Sequence, residues 1–253
     1  MKILISAIFS LLLFSCGNAQ SFSFSKYGDK APSHDIWDGL VKKHVSPTGI
    51  VNYKGFIADS VSLNKYLDML SAGAPDPKKW SKNDQIAFWI NAYNAYTVKL
   101  IIRNYPLKGI KEIGGRIPFI NSTWDIKFFS IGGTEMDLNN IEHGILRKDF
   151  EEPRIHFAVN CASVSCPKLR NEAYVGSRLD AQLNDQAKAF LADKGKNNIK
   201  NANEAKLSKL FKWFKGDFTK NGDLISFINK YSTVKLNKDA NLDFLDYDWN
   251  LNE

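Results

Sequence analysis

The stretch from Ser81 to Arg103 constrains the fold most, because it is helical in pattern and apolar on nearly every face. Ile86, Trp89, Ile90, Tyr93, Thr97, Leu100 and Ile101 recur at helical spacing. Ser81 and Asp84 form a variant capping box, with Asp where Glu is usual. Pro106 stops the pattern. A helix with no polar face has nothing to offer solvent, so it belongs at the centre with the rest of the chain wrapped around it. Asn91 and Asn94 interrupt it three positions apart, which puts both amides on one face. Buried amides need partners. They either hydrogen-bond an adjacent loop or line a pocket and orient a histidine.

The flanking segments mix helices with short strands. Ser33-His34-Asp35 precedes a short helix with Ile36, Trp37, Leu40 and Val41 on it. Further helices are expected near 59–72, from Leu138 to Arg147 behind a cap at Asp137, and near 177–193, 203–215 and 224–231. Strands are expected at 50–53, in the glycine-punctuated stretch 108–136 with its alternation from Trp124 to Phe128, at Ile155–Val159, and from Leu242 to Trp249. The order shows no regular strand–helix–strand beat and no internal repeat. The expected architecture is one α+β domain over 33–253, with mixed helices around a small sheet and a long central buried helix. A chain of 253 residues with 44% apolar content needs no disulfide to build such a core.

The N-terminus carries an address. Lys2 precedes an apolar run from Ile3 to Phe14, too short to remain as a spanning helix. Residues 1–15 fit a secretory signal peptide. Leu13-Phe14-Ser15-Cys16 resembles a bacterial lipobox, in which Cys16 becomes the lipid-bearing first residue. Phe14 departs from the small residue usual at its position, and cleavage after Ala19 is the alternative. The lipobox reading gives a lipidated N-terminus and polar tether over 16–32, an anchor in the membrane and a domain facing the periplasm or the exterior.

The net charge of +7 is mostly dispersed lysine, since only six of the 34 basic residues are arginines. No recognition helix, zinc finger or aromatic–basic motif accompanies it, so nucleic acid is not an expected partner. The expected partners are the membrane, through the lipid, and a small-molecule, peptide or envelope-polymer ligand. The chain is expected to act as a monomer.

Chemistry concentrates between Glu142 and Cys166. No nucleotide-binding glycine pattern, G-x-S-x-G elbow, H-E-x-x-H or EF-hand loop is present. Glu142 and His143 fall on a short helix, Arg154 and His156 flank the expected strand at 155–159, and Asn160, Cys161, Ser163, Ser165 and Cys166 follow it. A turn after a buried strand is a favoured place for functional side chains. A thiol there becomes a nucleophile when an imidazole lowers its pKa.

Three readings stay open for the two cysteines: a thiol site, a Cys161–Cys166 disulfide in an oxidising compartment, and a metal site. The spacing matches no standard zinc pattern, and neither metal nor other cofactor is expected. All four histidines precede Cys161. A papain-like or transglutaminase-like triad runs thiol first, so a thiol site here needs a different or permuted layout. Trp213, Phe214, Asp217, Phe218 and the closing Tyr247-Asp248-Trp249 read most simply as core.

Together the segments AFWINAYNA from Ala87, IEHGILR from Ile141, RIHFAVNC from Arg154, Ser165-Cys166-Pro167, FKWFKGDF from Phe211 and Tyr247-Asp248-Trp249 resemble the uncharacterised domain family DUF547. The resemblance covers roughly residues 33–250. It implies a bacterial envelope member and no known activity, with a papain/transglutaminase-type fold as a distant likeness. The site expected from the residues has Cys161 as nucleophile, His143 or His156 as base and Glu142 as orienter. Asn91, Asn94, Arg154, Asn160, Ser163 and Cys166 are expected to line its pocket. The reaction class would be acyl or amide transfer or hydrolysis. The alternative is a non-catalytic envelope binding or scaffolding domain closed by a Cys161–Cys166 disulfide.

Overall fold

A computed structural model describes residues 22–114 and 122–253. The expected signal peptide and Cys16 lie outside the described residues, as does the stretch 115–121 within the glycine-punctuated segment. The fold is α+β, built around one long helix as the sequence pattern requires. Helix α4, Lys82–Asn104, is buried along most of its length. Ser81 caps it by accepting from the Asp84 N–H at 3.1 Å. Around it pack α1, Asp35–His44, α2, Tyr53–Ala58, and α3, Ser60–Ser71. Together they form the larger of two apolar clusters.

The second cluster lies under the C-terminal half. There α6, Leu179–Ala192, and α9, Leu224–Tyr231, pack with Phe157, Phe211 and Phe218. Two one-turn helices, α7 (Leu210–Trp213) and α8 (Lys215–Phe218), sit beside them.

The described residues hold three small sheets where one was expected. β1 (Tyr27–Gly28) runs parallel to β2 (Ala74–Pro75). β3 (Phe129–Ile131) and β4 (Thr134–Met136) form a hairpin turned by Gly132 and Gly133, both at positive φ. β5 (Asn198–Asn201), β6 (Glu204–Leu207) and β7 (Asn241–Phe244) make a three-stranded sheet.

Several local expectations change. Residues 155–159 form no strand, because a 3₁₀ turn spans Pro153–Phe157. Pro153 presets the first helical φ, and the Glu152 carboxylate accepts the Arg154 N–H at 3.1 Å. The apolar run is buried in either conformation, so its pattern alone could not separate the two. The helix expected over 203–215 is a strand followed by a broken helix, because Asn201-Ala202-Asn203 turns the chain between β5 and β6. Trp124–Phe128 does not form a strand, and 50–53 supplies only a single bridge between Val45 and Val51. The tether expected over 16–32 is docked from residue 22 onward. Phe22 and Phe24 pack on the larger cluster, and Ser25 and Thr134 tie the segment to the β3–β4 hairpin.

One segment departs from standard helix geometry. Residues Asn140–Leu146 wind as a π-helix and continue into α5, Arg147–Asp149. The Arg147 N–H reaches the Glu142 carbonyl, five residues back. Asp137 accepts the Asn140 N–H at 2.7 Å and starts this segment, as its cap position predicts. A π-helical turn is uncommon and often marks a functional site. This one carries both Glu142 and His143.

Candidate functional site

The residues after the 3₁₀ turn make a tight loop with a strained centre. Ala162 sits at φ 62°, a left-handed conformation that costs a side-chain-bearing residue about 1 kcal/mol. Side-chain amides hold it there. Asn160 Oδ1 accepts the Ala162 N–H at 2.9 Å, and Asn160 Nδ2 donates to the Pro167 carbonyl at 2.7 Å. Asn94, from α4, accepts the Asn160 N–H at 2.8 Å and donates to the Ala158 carbonyl at 3.0 Å. The C-terminal segment closes the other side: Ser163 bridges Leu251, and the Val164 N–H donates to the Asn250 carbonyl at 2.9 Å. Cys161 is therefore presented by a loop tied to the central helix and to the end of the chain.

This loop forms one wall of a cavity of about 200 Å³. Cys161, Cys166, Glu142, His143 and His156 all line it. The rest of the wall is largely aromatic: Tyr93, Trp124, Trp213, Phe214, Tyr247 and Trp249. Trp213 is 46% exposed and stacks on Trp249 with centroids 5.9 Å apart, so Trp213 departs from the core reading, while Phe218 is buried and Phe214 and Trp249 pack on the apolar clusters. Trp249 can reach this wall because Gly109 leaves room for its backbone. A Cβ at Gly109 would fall 2.3 Å from the Trp249 carbonyl oxygen.

Cys161 is half-buried, and its sulfur lies 2.8 Å from that of Cys166, with both present as free thiols. Ser163 Oγ is 3.2 Å and the Tyr247 hydroxyl 3.3 Å from Cys161 Sγ. Burial pushes this thiol's pKa up, but the hydrogen bonds from Cys166, Ser163 and Tyr247 outweigh it and lower it to about 7. Cys166 moves the other way: burial and the neighbouring sulfur both raise it. When the first proton leaves the pair, the neighbours favour leaving the negative charge on Cys161.

The imidazoles are organised separately. His156 is buried, stacked on Phe214 at 4.0 Å, and its Nε2 is 2.7 Å from Asp217. Asp217 also takes a two-pronged contact from Arg147, at 2.6 and 3.1 Å. Burial pushes the Asp217 carboxyl up, yet the hydrogen bonds from His156 and Arg147 hold it far below its usual range. Burial lowers the His156 pKa against the pull of Asp217, so the ring is neutral near pH 7. A carboxylate only accepts, so the His156 hydrogen is on Nε2. Its Nδ1 is buried without a hydrogen-bond partner and faces Glu142 at 4.0 Å.

Arg147 settles the second ring too. Its NH1 donates to His143 Nδ1 at 2.8 Å, which leaves the hydrogen of a neutral His143 on Nε2. Burial lowers the His143 pKa and keeps it neutral. Glu142 is buried and raised in pKa, first by burial, with His143 and a hydrogen bond from Tyr93 pulling it back in part.

Among the described residues the side-chain hydrogen-bond partners of the Cys161 sulfur are Cys166, Ser163 and Tyr247, and no imidazole is one of them. The expected Cys–His contact is thus replaced by a shared cavity. Asn91, Asn94, Arg154, Asn160 and Ser163 do not line it. Asn91 pairs with both backbone groups of Tyr174, at 2.8 and 3.0 Å. Arg154 sits on Glu152 and Asp180, tying α6 to the 3₁₀ turn. Ser163 stands behind the thiol. Among the described residues no cluster of three or more His, Cys, Asp or Glu side chains could hold a metal ion.

The residues that the sequence reading passed over are Arg147, Asp217, Tyr93, Tyr247 and the aromatic wall. Asp217 lies 70 residues from Arg147 and 61 from His156, and only the folded chain brings it to both. The presence of Tyr93 in AFWINAYNA, Arg147 in IEHGILR, Asp217 in FKWFKGDF and Tyr247 in the closing Tyr247-Asp248-Trp249, all segments that carry the family resemblance, was the one available signal.

An α+β fold presenting a paired thiol at the wall of an aromatic cavity is the class these features define. Residues 77–191 match the family described as a protein of unknown function, DUF547. The match takes in α4, the π-helix and the cysteine loop, and it supports the resemblance over that stretch. No curated protein and no solved structure matches the chain.

Proposed function

We propose that this protein is a lipid-anchored cell-envelope enzyme that uses the Cys161 thiolate to transfer or hydrolyse acyl or amide groups. The observation carrying the reading is a thiol, lowered in pKa to about 7, at the wall of a cavity that two neutral imidazoles and a raised carboxyl also line. The envelope address rests on the N-terminal residues Lys2 to Cys16. Among the described residues no helix is long and apolar enough to cross a membrane.

The roles follow from the hydrogen positions. Cys161 attacks the carbonyl carbon and forms the S–C bond. His143 Nε2–H donates to the oxygen that becomes negative. As the bond to the leaving group breaks, the Glu142 carboxyl, whose pKa burial raises, supplies the leaving group with a proton. Water or an acceptor amine then attacks the thioester, the S–C bond breaks to release Cys161 as a thiolate, and the proton of the attacking group returns to Glu142. His156, held by Asp217 at Nε2, packs beside Glu142 with Nδ1 4.0 Å from its carboxylate.

The test is acylation by p-nitrophenyl acetate. The expected result is a burst of nitrophenolate with an acetyl group on Cys161, both absent in Cys161→Ser. An unmodified Cys161 sinks the proposal. The 2.8 Å sulfur separation favours a second reading, a non-catalytic binding or scaffolding domain with a permanent Cys161–Cys166 disulfide. Intact mass before and after reduction separates the two, since a closed bond shows as a gain of two hydrogens.

A further inference from the structure

The two cysteines touch, yet the fold treats them unequally. Cys161 is half-buried at the cavity wall, while Cys166 is 4% exposed. Ser163 and Tyr247 crowd the Cys161 sulfur with hydroxyl groups. Cys166 has the Cys161 N–H at 2.9 Å and the distant Val159 carbonyl at 4.0 Å, and the Tyr247 hydroxyl, which lowers its pKa, does not offset burial and the neighbouring sulfur. One sulfur can meet a reagent entering the cavity, and the other can meet only its partner.

The loop between them is already bent. The left-handed Ala162 reverses the chain, and the Cys166 N–H donates to the Ser163 carbonyl at 3.1 Å. Asn160 grips both ends of the loop, at the Ala162 N–H and at the Pro167 carbonyl. Little backbone movement is then needed to join sulfurs 2.8 Å apart. A structural disulfide has no use for hydroxyl groups arranged to stabilise one thiolate, and an acyl-transfer nucleophile has no use for a second thiol in contact.

We propose that Cys161 and Cys166 form a redox-active dithiol that exchanges with a small-molecule disulfide entering the aromatic cavity. Cys161 attacks one sulfur of that disulfide, forming a mixed disulfide and releasing the other half as a thiolate. The Cys166 thiol passes its proton to the medium and attacks the Cys161 sulfur. The second half then leaves as a thiol, and the protein holds a Cys161–Cys166 bond. Two electrons pass from the dithiol to the substrate, which is reduced to two thiols. Burial and raised basicity suit Cys166 to the second step, because it stays protonated until the mixed disulfide has formed. This rests on Cys161 being a reachable nucleophile, as the proposed function requires, and goes beyond it. While the bond is closed, no thiolate remains for acyl transfer.

The experiment uses the full chain, reduced and freed of reductant, with oxidised glutathione as probe. Peptide mapping follows the 161–166 segment apart from Cys16. In the native protein, two glutathione thiols are released per chain and the segment loses two hydrogens. In Cys166→Ser, one thiol is released and a glutathionyl group stays on Cys161. Cys166→Ala, with thermal melts of both variants, controls for folding. A lasting glutathionyl adduct on the native protein overturns the proposal. So does a pair that is already linked and resists dithiothreitol. If Cys161 reacts with iodoacetamide but never bonds to Cys166, the dithiol fails and the acyl-transfer reading stands. If Cys161 is inert to both reagents, the two fall together.

Discussion

The thiol end and the imidazole end of the cavity are prepared by different means. At the thiol end the groups are neutral hydrogen-bonders: a neighbouring thiol, a serine, a tyrosine and the amides that hold the loop. They leave Cys161 poised between thiol and thiolate near neutral pH. At the imidazole end the organiser is a charge pair, Arg147 with Asp217, which clamps one nitrogen on each ring. The rings stay neutral because burial opposes their charging. Hydrogen bonds can tune a group across pH 7, whereas a half-buried, two-pronged ion pair is better at fixing orientation.

The harshest way to break the comparison is Cys161→Ser. It should abolish acetyl transfer and glutathione release, a loss of about a thousandfold or more read as initial rate. Next comes Asp217→Asn, which leaves Arg147 and His156 without their common partner. A loss of about 2–3 kcal/mol is expected in urea unfolding, below that of a fully buried pair because both side chains are partly exposed. It should leave iodoacetamide labelling of Cys161 intact, and a lost thiol response would mean that the two ends are one unit.

The same pair predicts acid sensitivity. Both Asp217 and His156 have lowered pKa values, so the unfolded chain takes up protons that the folded chain does not. Stability should therefore fall as pH drops below about 6.5 for the histidine, and again below about 4 for the carboxyl. In Asp217→Asn the lower arm should flatten.

Asn160→Ala removes the amide that holds the strained loop and should cost about 2 kcal/mol by the same unfolding measurement. Tyr247→Phe is smaller. Losing one hydrogen bond to the sulfur should raise the labelling midpoint of Cys161 by somewhat less than about one pH unit. His143→Ala should leave that midpoint unmoved. A shift as large as that of Tyr247→Phe would place an imidazole in control of the thiol and erase the distinction.

Much of the fold was legible because its signals are local. The all-apolar pattern from Ile86 to Ile101 called for a central helix, and α4 is one. Asp137 capped the segment it was expected to cap, although the segment proved π-helical. The strand expected at 155–159 failed because burial on all sides erases periodicity, and Pro153 decided the matter. For the site, the concentration from Glu142 to Cys166 drew attention to Glu142, His143, His156, Cys161 and Cys166, all on one cavity. Asn91 and Asn94 took the loop-holding role left open for them.

By itself the sequence determined the residue types and the central helix, since the helix depends on neighbours a few positions apart. Only the tertiary structure decided which groups share a proton. Asp217 meets His156 from 61 positions away, and Tyr247 meets Cys161 from 86. A thiol's reactivity depends on what surrounds its sulfur within a few ångströms, and chain folding alone supplies those neighbours.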